Sequence, residues 1–432
     1  MATQVADTSK PKRHNSRTRP AWLSTPILAV SAFAIASGMG QFAVTTTIGD
    51  VAQAFGSISD DPGALAQIGL PATTVGIALS LIRLASLASL PLSALADRKG
   101  RRRSLIVMAV LGLGFTASAA AAPSFWWFVV AAAIARPALS TVNNLSGVIA
   151  AEETRTTNRA AALAVVATAY GVGAGVIALS RGLFTNAPSF RLVMLLAAAP
   201  LIILLVLARK LREPEIATNV RAPEGIPGAI PREHRKRVAL FAVLTAGIAL
   251  ATGPGFTYLF VYGEGVLNAS PLTLSLLVLA AGPSGLAGIL AGRFAADRFG
   301  RRIASVLAMA GTGFGVIIAY SNDLTALAVG YLVAIAASSA FAPAGGALLL
   351  EMFPTQIRAT IAGWETVAGV LGAVFGLLTF GALADLTGSF ASAARLIGVV
   401  VMVGAIGFIG FPETRGRELD ETDEPSTGEH GP

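Results

Sequence analysis

Twelve long apolar runs, broken by short polar stretches, constrain this chain more than any other feature. They fall at about 24–49, 71–96, 104–122, 125–151, 160–180, 189–208, 238–262, 271–294, 303–321, 324–350, 359–384 and 391–411. A helix needs about 20 apolar residues to cross a bilayer and up to ~25 if tilted, so twelve crossings consume ~240–300 residues. The chain has 432 residues, 54% of them hydrophobic, and 46 glycines besides, so supply meets demand. The runs are continuously apolar rather than alternating, which selects helices over barrel strands. The expected fold class is therefore all-α integral membrane, with twelve transmembrane helices. A soluble enzyme, a disordered chain and a single-span receptor are excluded.

The polar residues narrow the chemistry. There are no cysteines, so disulfides, thiolate metal sites and cysteine nucleophiles are ruled out. The three histidines, His14, His234 and His430, all lie in polar segments. No Gly-Lys pair exists, hence no nucleotide-binding P-loop. No metal or other cofactor is expected. Of the 32 lysines and arginines, 27 fall on one side of the twelve runs and 3 on the other, with Arg83 and Arg136 inside runs. That asymmetry is a positive-inside signal, placing both termini in the cytoplasm. The net charge of +8 thus reflects topology and not a nucleic-acid partner. Residues 1–23 read as a disordered cytoplasmic tail, not a signal peptide, and residues 412–432 as a second one.

The chain contains itself twice. Asp97-Arg98-Lys99-Gly100-Arg101-Arg102 follows the second run, and Asp297-Arg298-Phe299-Gly300-Arg301-Arg302 follows the eighth. Glu152 precedes Arg159 by seven residues after the fourth run, as Glu351 precedes Arg358 after the tenth. Pro214-Glu215 closes the sixth run and Pro412-Glu413 the twelfth. Gly38 and Gly40 in the first run correspond to Gly253 and Gly255 in the seventh, at an offset of 215. Four landmarks in the same order imply two homologous six-helix halves, 24–208 and 238–411, joined by a cytoplasmic linker at 209–237. Parallel six-helix repeats are a known transporter architecture, with the site between the halves near mid-membrane.

The duplicated Asp-Arg-x-Gly-Arg-Arg motif resembles the signature of the major facilitator superfamily. Glu351-Met-Phe353-Pro354-Thr355-Gln-Ile-Arg358 and Pro412-Glu413-Thr414-Arg415-Gly416 are similar to motifs of its sugar-porter, organic-ion and metabolite–proton symporter branches. The resemblance covers residues 24–420 and implies the major facilitator fold and alternating access. Four departures stand out, one of them a linker shorter than sugar porters usually have. Glu152-Glu153-Thr-Arg155 lacks the proline of its C-half counterpart. Span 5 lacks the Gly-Pro of drug antiporters. Sugar-porter substrate motifs are not evident.

Three groups of residues are candidates for function. Asp97, Arg98, Gly100, Arg101, Arg102, Glu152, Arg159 and Glu215 form one expected cytoplasmic latch. Asp297, Arg298, Gly300, Arg301, Arg302, Glu351, Arg358 and Glu413 form its repeat. Arginines fork bidentately onto carboxylates, and the glycines permit a tight turn. The glycine pairs Gly38/Gly40 and Gly253/Gly255, with Pro254 beside them, suggest interrupted helices flanking a substrate. Gln41, Thr45 and Tyr258 lie close by, and close helix packing is the plainer alternative.

Arg136 and Asn143 share a helix face in the fourth run and suit an anionic group, unless Arg136 pairs with Asp50. Arg83 reads as structural. Asp50, Glu264 and Glu365 are the possible proton carriers, although Glu365 shares a smooth face with Gly369, Gly372 and Gly376 that suggests packing.

The expected function is secondary active transport of a small organic solute across a bacterial cytoplasmic membrane, by proton-coupled uptake of an organic acid or similar metabolite. The alternatives are proton-coupled drug or metabolite efflux and a non-transporting membrane sensor. A sensor would be expected to carry a further folded domain, for which tails and linker are short. The expected partners are the solute, protons and the lipid bilayer, and the expected state is a monomer.

Overall fold

The computed structural model describes residues 24–56, 69–154, 158–183, 190–210 and 230–415. The readings of 1–23, of most of the linker, of Glu215 and of the end of the chain lie outside these residues. Within them run twelve helices long and apolar enough to cross a membrane. In the N-half these are α1 (Thr25–Phe55), α2 (Ala72–Lys99), α3 (Arg101–Ala120), α4 (Phe125–Glu152), α5 (Arg159–Leu183) and α6 (Phe190–Leu207). The C-half holds α7 (Arg232–Thr257), α8 (Pro271–Phe299), α9 (Arg301–Ala319), α10 (Leu324–Met352), α11 (Thr355–Thr387) and α12 (Phe390–Gly410). The chain is a multi-pass membrane protein of two six-helix repeats.

Local chemistry sets where these helices start and bend. Ser24, Ser124 and Ser270 precede α1, α4 and α8 in extended backbone, and Asp323 caps α10 by accepting from the Ala326 amide at 2.7 Å. Gly100 and Gly300 join α2 to α3 and α8 to α9 at φ +97° and +95°. Side-chain-bearing residues rarely adopt that backbone, so both tight turns need glycine. Pro91 cannot donate an amide proton, and a 3-10 turn at Ser86–Ala88 lies just before it in α2. Trp126 and Trp127, half exposed at the start of α4, fit the aromatic belt of a membrane interface.

Small residues let the helices meet backbone to backbone, as is usual in lipid. Gly38 of α1 lies against the Tyr170 carbonyl of α5, and Gly173 of α5 lies against the Ile35 carbonyl of α1. The C-half repeats this between α7 and α11: Gly253 faces Ala373, while Gly372 and Gly376 face the carbonyls of Ala246 and Leu250. Gly40 packs on Leu139 and Gly255 on Val316.

The glycine pairs are therefore packing positions. α1 runs unbroken through Gly38 and Gly40, against the expected interruption. In the C-half the helix breaks not at the glycines but at Tyr258, after which a short helix, Leu259–Gly265, continues the path. The face of α11 bearing Gly372 and Gly376 is indeed a packing face.

Candidate functional site

The two halves meet at the side opposite the basic loops. Asp385 of α11 accepts from the backbone amides of Ala72 (2.9 Å) and Thr73 (2.7 Å), so a C-half carboxylate caps the start of an N-half helix. Tyr258 donates its hydroxyl to the Ala72 carbonyl at 2.8 Å, and Ser80 donates to the Val374 carbonyl at 3.1 Å. Ser275 of α8 donates to the Ala178 carbonyl of α5, and Gly182 of α5 packs directly on Leu272 and Ser275.

Arg181 of α5 completes the seal. One of its nitrogens, Nη2, lies 2.6 Å from Asp50 of α1 and 2.9 Å from Glu264, which follows α7. Among the described residues, every side-chain hydrogen bond or ion pair between the halves lies at or beyond the level of Ser80. Among the described residues, such bonds join the halves on the far side and none joins them on the basic side.

Just below that seal lies a charged, unpaired site. Arg83 sits three residues further along α2 than Ser80, near mid-span. Arg136 sits at mid-span in α4, beside Pro137, whose missing amide leaves the Ala133 carbonyl without its helical donor. Both arginines are half-buried. Their charges lie near enough to repel each other, with Tyr170 of α5 beside both. Among the described residues no carboxylate pairs with either, and the Nε of each is buried without an acceptor. Asn143 and Thr45 are half-buried as well.

This arrangement revises the sequence reading. Arg136 does not pair with Asp50, because Asp50 is committed to Arg181. Arg83 has no acidic partner to make it structural. Tyr258 is fully buried with its hydroxyl bonded, and Gln41 is buried and donates to Ser37 at 2.9 Å, so neither faces an open space. Glu365 is half-buried and enters no ion pair with the basic-side arginines. Sequence reasoning missed Tyr170 and Arg181. A signal for Arg181 existed: Asp50 and Glu264 are 214 residues apart, one short of the repeat offset, and two such acids call for a cation.

The duplicated motif forms two clusters on the basic side, each inside one half. Arg101 bonds Asp97 at 2.8 Å and also Glu152. Arg301 bonds Asp297 at 3.3 Å and Glu351 at 3.2 Å. Glu413 accepts from the amides of Arg301 (2.9 Å) and Arg302 (3.4 Å), capping α9, and lies where a side chain at Gly300 would intrude.

Other arginines bond carbonyls: Arg102 that of Ala208, Arg159 that of Ala151, Arg302 those of Ile409 and Phe411, and Arg358 that of Phe353. Arg98 and Arg298 are exposed. The expected pairs of Arg101 with Glu152 and of Arg301 with Glu351 are formed. They brace helices within each half, and among the described residues no side-chain hydrogen bond joins the halves on that side.

A groove of about 510 Å³ runs between α7, α9, α11 and α12, lined by Val243, Leu250, Met309, Leu371, Phe375 and Val400 among others. Its lining is hydrocarbon, and Val243, Phe375 and Val400 are exposed, so it faces lipid and not the charged site.

Two repeated helical halves, sealed on one side of the membrane above an unpaired charged site, define an alternating-access transporter. The description "Major Facilitator Superfamily" matches residues 28–295 and 266–428, and the chain belongs to that family. Its members and relatives are transporters, not enzymes. A triacylglyceride transporter of Mycobacteroides abscessus is 44% identical over 85 residues, 19% of this chain and 16% of the relative. One of Mycolicibacterium smegmatis is 34% identical over 128 residues, 29% of this chain and 23% of the relative. The chain thus matches less than a quarter of the length of these relatives.

Among solved structures, the xylose transporter XylE from E. coli, partially occluded and inward open, aligns with a TM-score of 0.70 at 16% identity, over 92% of this chain and 100% of that one. The nucleoside transporter NupG aligns at 0.70 and 14%, over 89% and 99%. A bacterial homologue of the human lysosomal transporter Spinster, inward-facing and occupied, aligns at 0.66 and 15%, over 90% and 97%. At these identities the likeness is one of fold.

Proposed function

We propose that this transporter carries a small organic anion across a bacterial cytoplasmic membrane by proton-coupled uptake. The basic side is read as cytoplasmic from the charge asymmetry, which makes the present arrangement inward-facing. One observation carries the anionic cargo: Arg136 stands at mid-membrane with no carboxylate partner. An arginine at the bilayer centre costs about 2.5–3.5 kcal/mol even on insertion scales. It persists where water or a ligand anion meets it. Asn143, on the same helix face, supplies a neutral polar group.

Proton coupling is supported by the far-side acids. Asp50 and Glu264 share the single guanidinium of Arg181, which leaves one negative charge in excess. Asp50 Oδ2 and Glu264 Oε1 are buried without a hydrogen-bond partner. A buried excess charge is costly, and a proton removes it. Glu365, half-buried and unpaired by any arginine described here, is the other acid open to protons. One structural neighbour, a D-xylose–proton symporter, agrees with such coupling. The protein is read as a monomer with no nucleic-acid partner.

Efflux of an apolar compound is the second reading, favoured by the triacylglyceride transporters among the relatives. It ranks lower because an uncharged cargo would leave Arg83 and Arg136 unsatisfied. The deciding experiment is purified protein in liposomes, screened with radiolabelled organic acids and neutral lipids, with and without an imposed pH gradient. Accumulation of an acid driven by the gradient supports the proposal. Movement of neutral lipid alone refutes it.

A further inference from the structure

Arg83 extends the site beyond a single positive charge, and this extension rests on the reading above that the transporter takes an organic anion. We infer that the recognised group is a compact dianion of the phosphate-monoester type, held by Arg83 and Arg136 together. Both guanidinium groups are half-buried, neither has a carboxylate partner among the described residues, and both have a buried Nε without an acceptor. They stand near mid-span on α2 and α4, which pack against each other, and their charges repel. Repelling cations persist side by side when an anion bridges them. A monoanion would neutralise one guanidinium and leave the second uncompensated.

The surrounding acids do not supply that charge. Asp50 is held by Arg181 on the far side. Asp97 and Glu152 are held by Arg101 at the basic end. Glu365 belongs to α11, whose Gly372–Gly376 face turns to α7, and it pairs with neither arginine. A phosphate monoester carries about −1.5 to −2 charge at neutral pH and three strong acceptor oxygens, enough for two planar forks at once. Tyr170 lies beside both arginines, with a hydroxyl that can donate to a third oxygen. All three residues belong to the N-half, on α2, α4 and α5. The charged contact therefore survives when the halves rock, and the rest of the ligand is left to meet the C-half.

The test is equilibrium binding to the purified full-length protein, with phenyl phosphate as the dianion and benzoate as a monoanion of similar size. At pH 8 the wild type is expected to bind phenyl phosphate about tenfold tighter than benzoate, the return on one further charge-assisted contact. Arg83→Gln should erase that preference, weakening phenyl phosphate about tenfold more than benzoate. Arg136→Gln should weaken both probes. Arg83→Lys, which keeps the charge without the fork, should restore part of the preference. Lowering the pH through the second phosphate ionisation, near about 6, should weaken phenyl phosphate in the wild type and not in Arg83→Gln.

Equal binding of both probes, sensitive to Arg136 alone, would overturn the dianion and leave the anion transporter standing. Binding of neither probe to folded wild-type protein would overturn both. Melting temperature and gel-filtration profile establish that each variant is folded. If Arg83→Gln does not fold, Arg83→Lys and the wild-type pH profile still decide the matter.

Discussion

Arg181 of the N-half reaches across to Glu264 of the C-half, Nη2 to Oε2, at 2.9 Å, while the same nitrogen holds Asp50 of its own half at 2.6 Å. When the far face opens, Glu264 must leave and Asp50 can stay. Arg181 and Asp50 then form a neutral pair, and Glu264 stands alone in water. Closing brings the second carboxylate back onto an occupied guanidinium. The other far-side arginines are elsewhere: Arg191 donates to the carbonyls of Ala120 and Ala122, and Arg395 is exposed. Closure is therefore expected to take up a proton, with acid on the far side favouring the closed gate and alkali the open one.

Glu264→Gln removes the excess charge permanently. Gate closure in this variant is expected to lose its dependence on far-side pH, while the wild type shifts toward closed as the pH falls. Accessibility of a reporter placed at the far-side seam, measured across pH 5 to 9, checks this. The same pH dependence in both proteins would remove the cluster from proton handling.

The absence of native cysteines makes the seam open to a clean crosslink. A side-chain carbon at Gly182 would lie 3.0 Å from Cβ of Ser275, slightly under the spacing of about 3.5–4.5 Å found in disulfides. Oxidation of the double variant Gly182→Cys, Ser275→Cys should lock the far face shut and stop transport, and reductant should restore it. Undiminished transport with the bond formed would contradict rocking of the halves about this seam.

The Arg301 cluster braces α8, α9 and α10 within the C-half, so its loss should show as stability. Arg301→Ala takes the guanidinium from a largely buried Glu351, which keeps the Thr414 hydroxyl, and is expected to cost about 1–3 kcal/mol. Thermal unfolding in detergent measures this. A variant that melts like wild type but fails to transport would return the motif to a gating role.

Asp50→Asn separates the gate from the binding site. Because Asp50 serves Arg181 and not Arg136, the variant should alter gate closure while leaving solute affinity within about twofold, a change under the usual scale of one lost charged contact. Equilibrium binding of the transported anion tests it. A large fall in affinity would tie Asp50 to the solute.

The twelve helices were legible because a bilayer leaves no alternative for continuously apolar runs, and every run found its helix. The repeat was legible in spaced charges and glycines. What those glycines do was not, since a glycine at a helix break and one at a backbone contact look alike in sequence. Gly38 and Gly253 turned out to hold α1 to α5 and α7 to α11. Contacts between halves were also hidden. Asp385 capping α2 joins residues 313 apart, a distance no local pattern spans. Arg181 was counted as a loop charge because its partners lie on two other helices. Arg136 was legible as a charge out of place, while the Arg83 and Tyr170 beside it required the fold.

The most direct test of the central claim is transport by Arg136→Lys in liposomes, using the organic anion that the wild type accumulates. Lysine keeps the positive charge and loses the planar fork. An anion bound through Arg136 should show at least about a tenfold rise in KM in the variant, as expected for loss of a bidentate charged contact, with the protein folded and inserted normally. Wild-type KM in Arg136→Lys would contradict recognition of the cargo at this arginine.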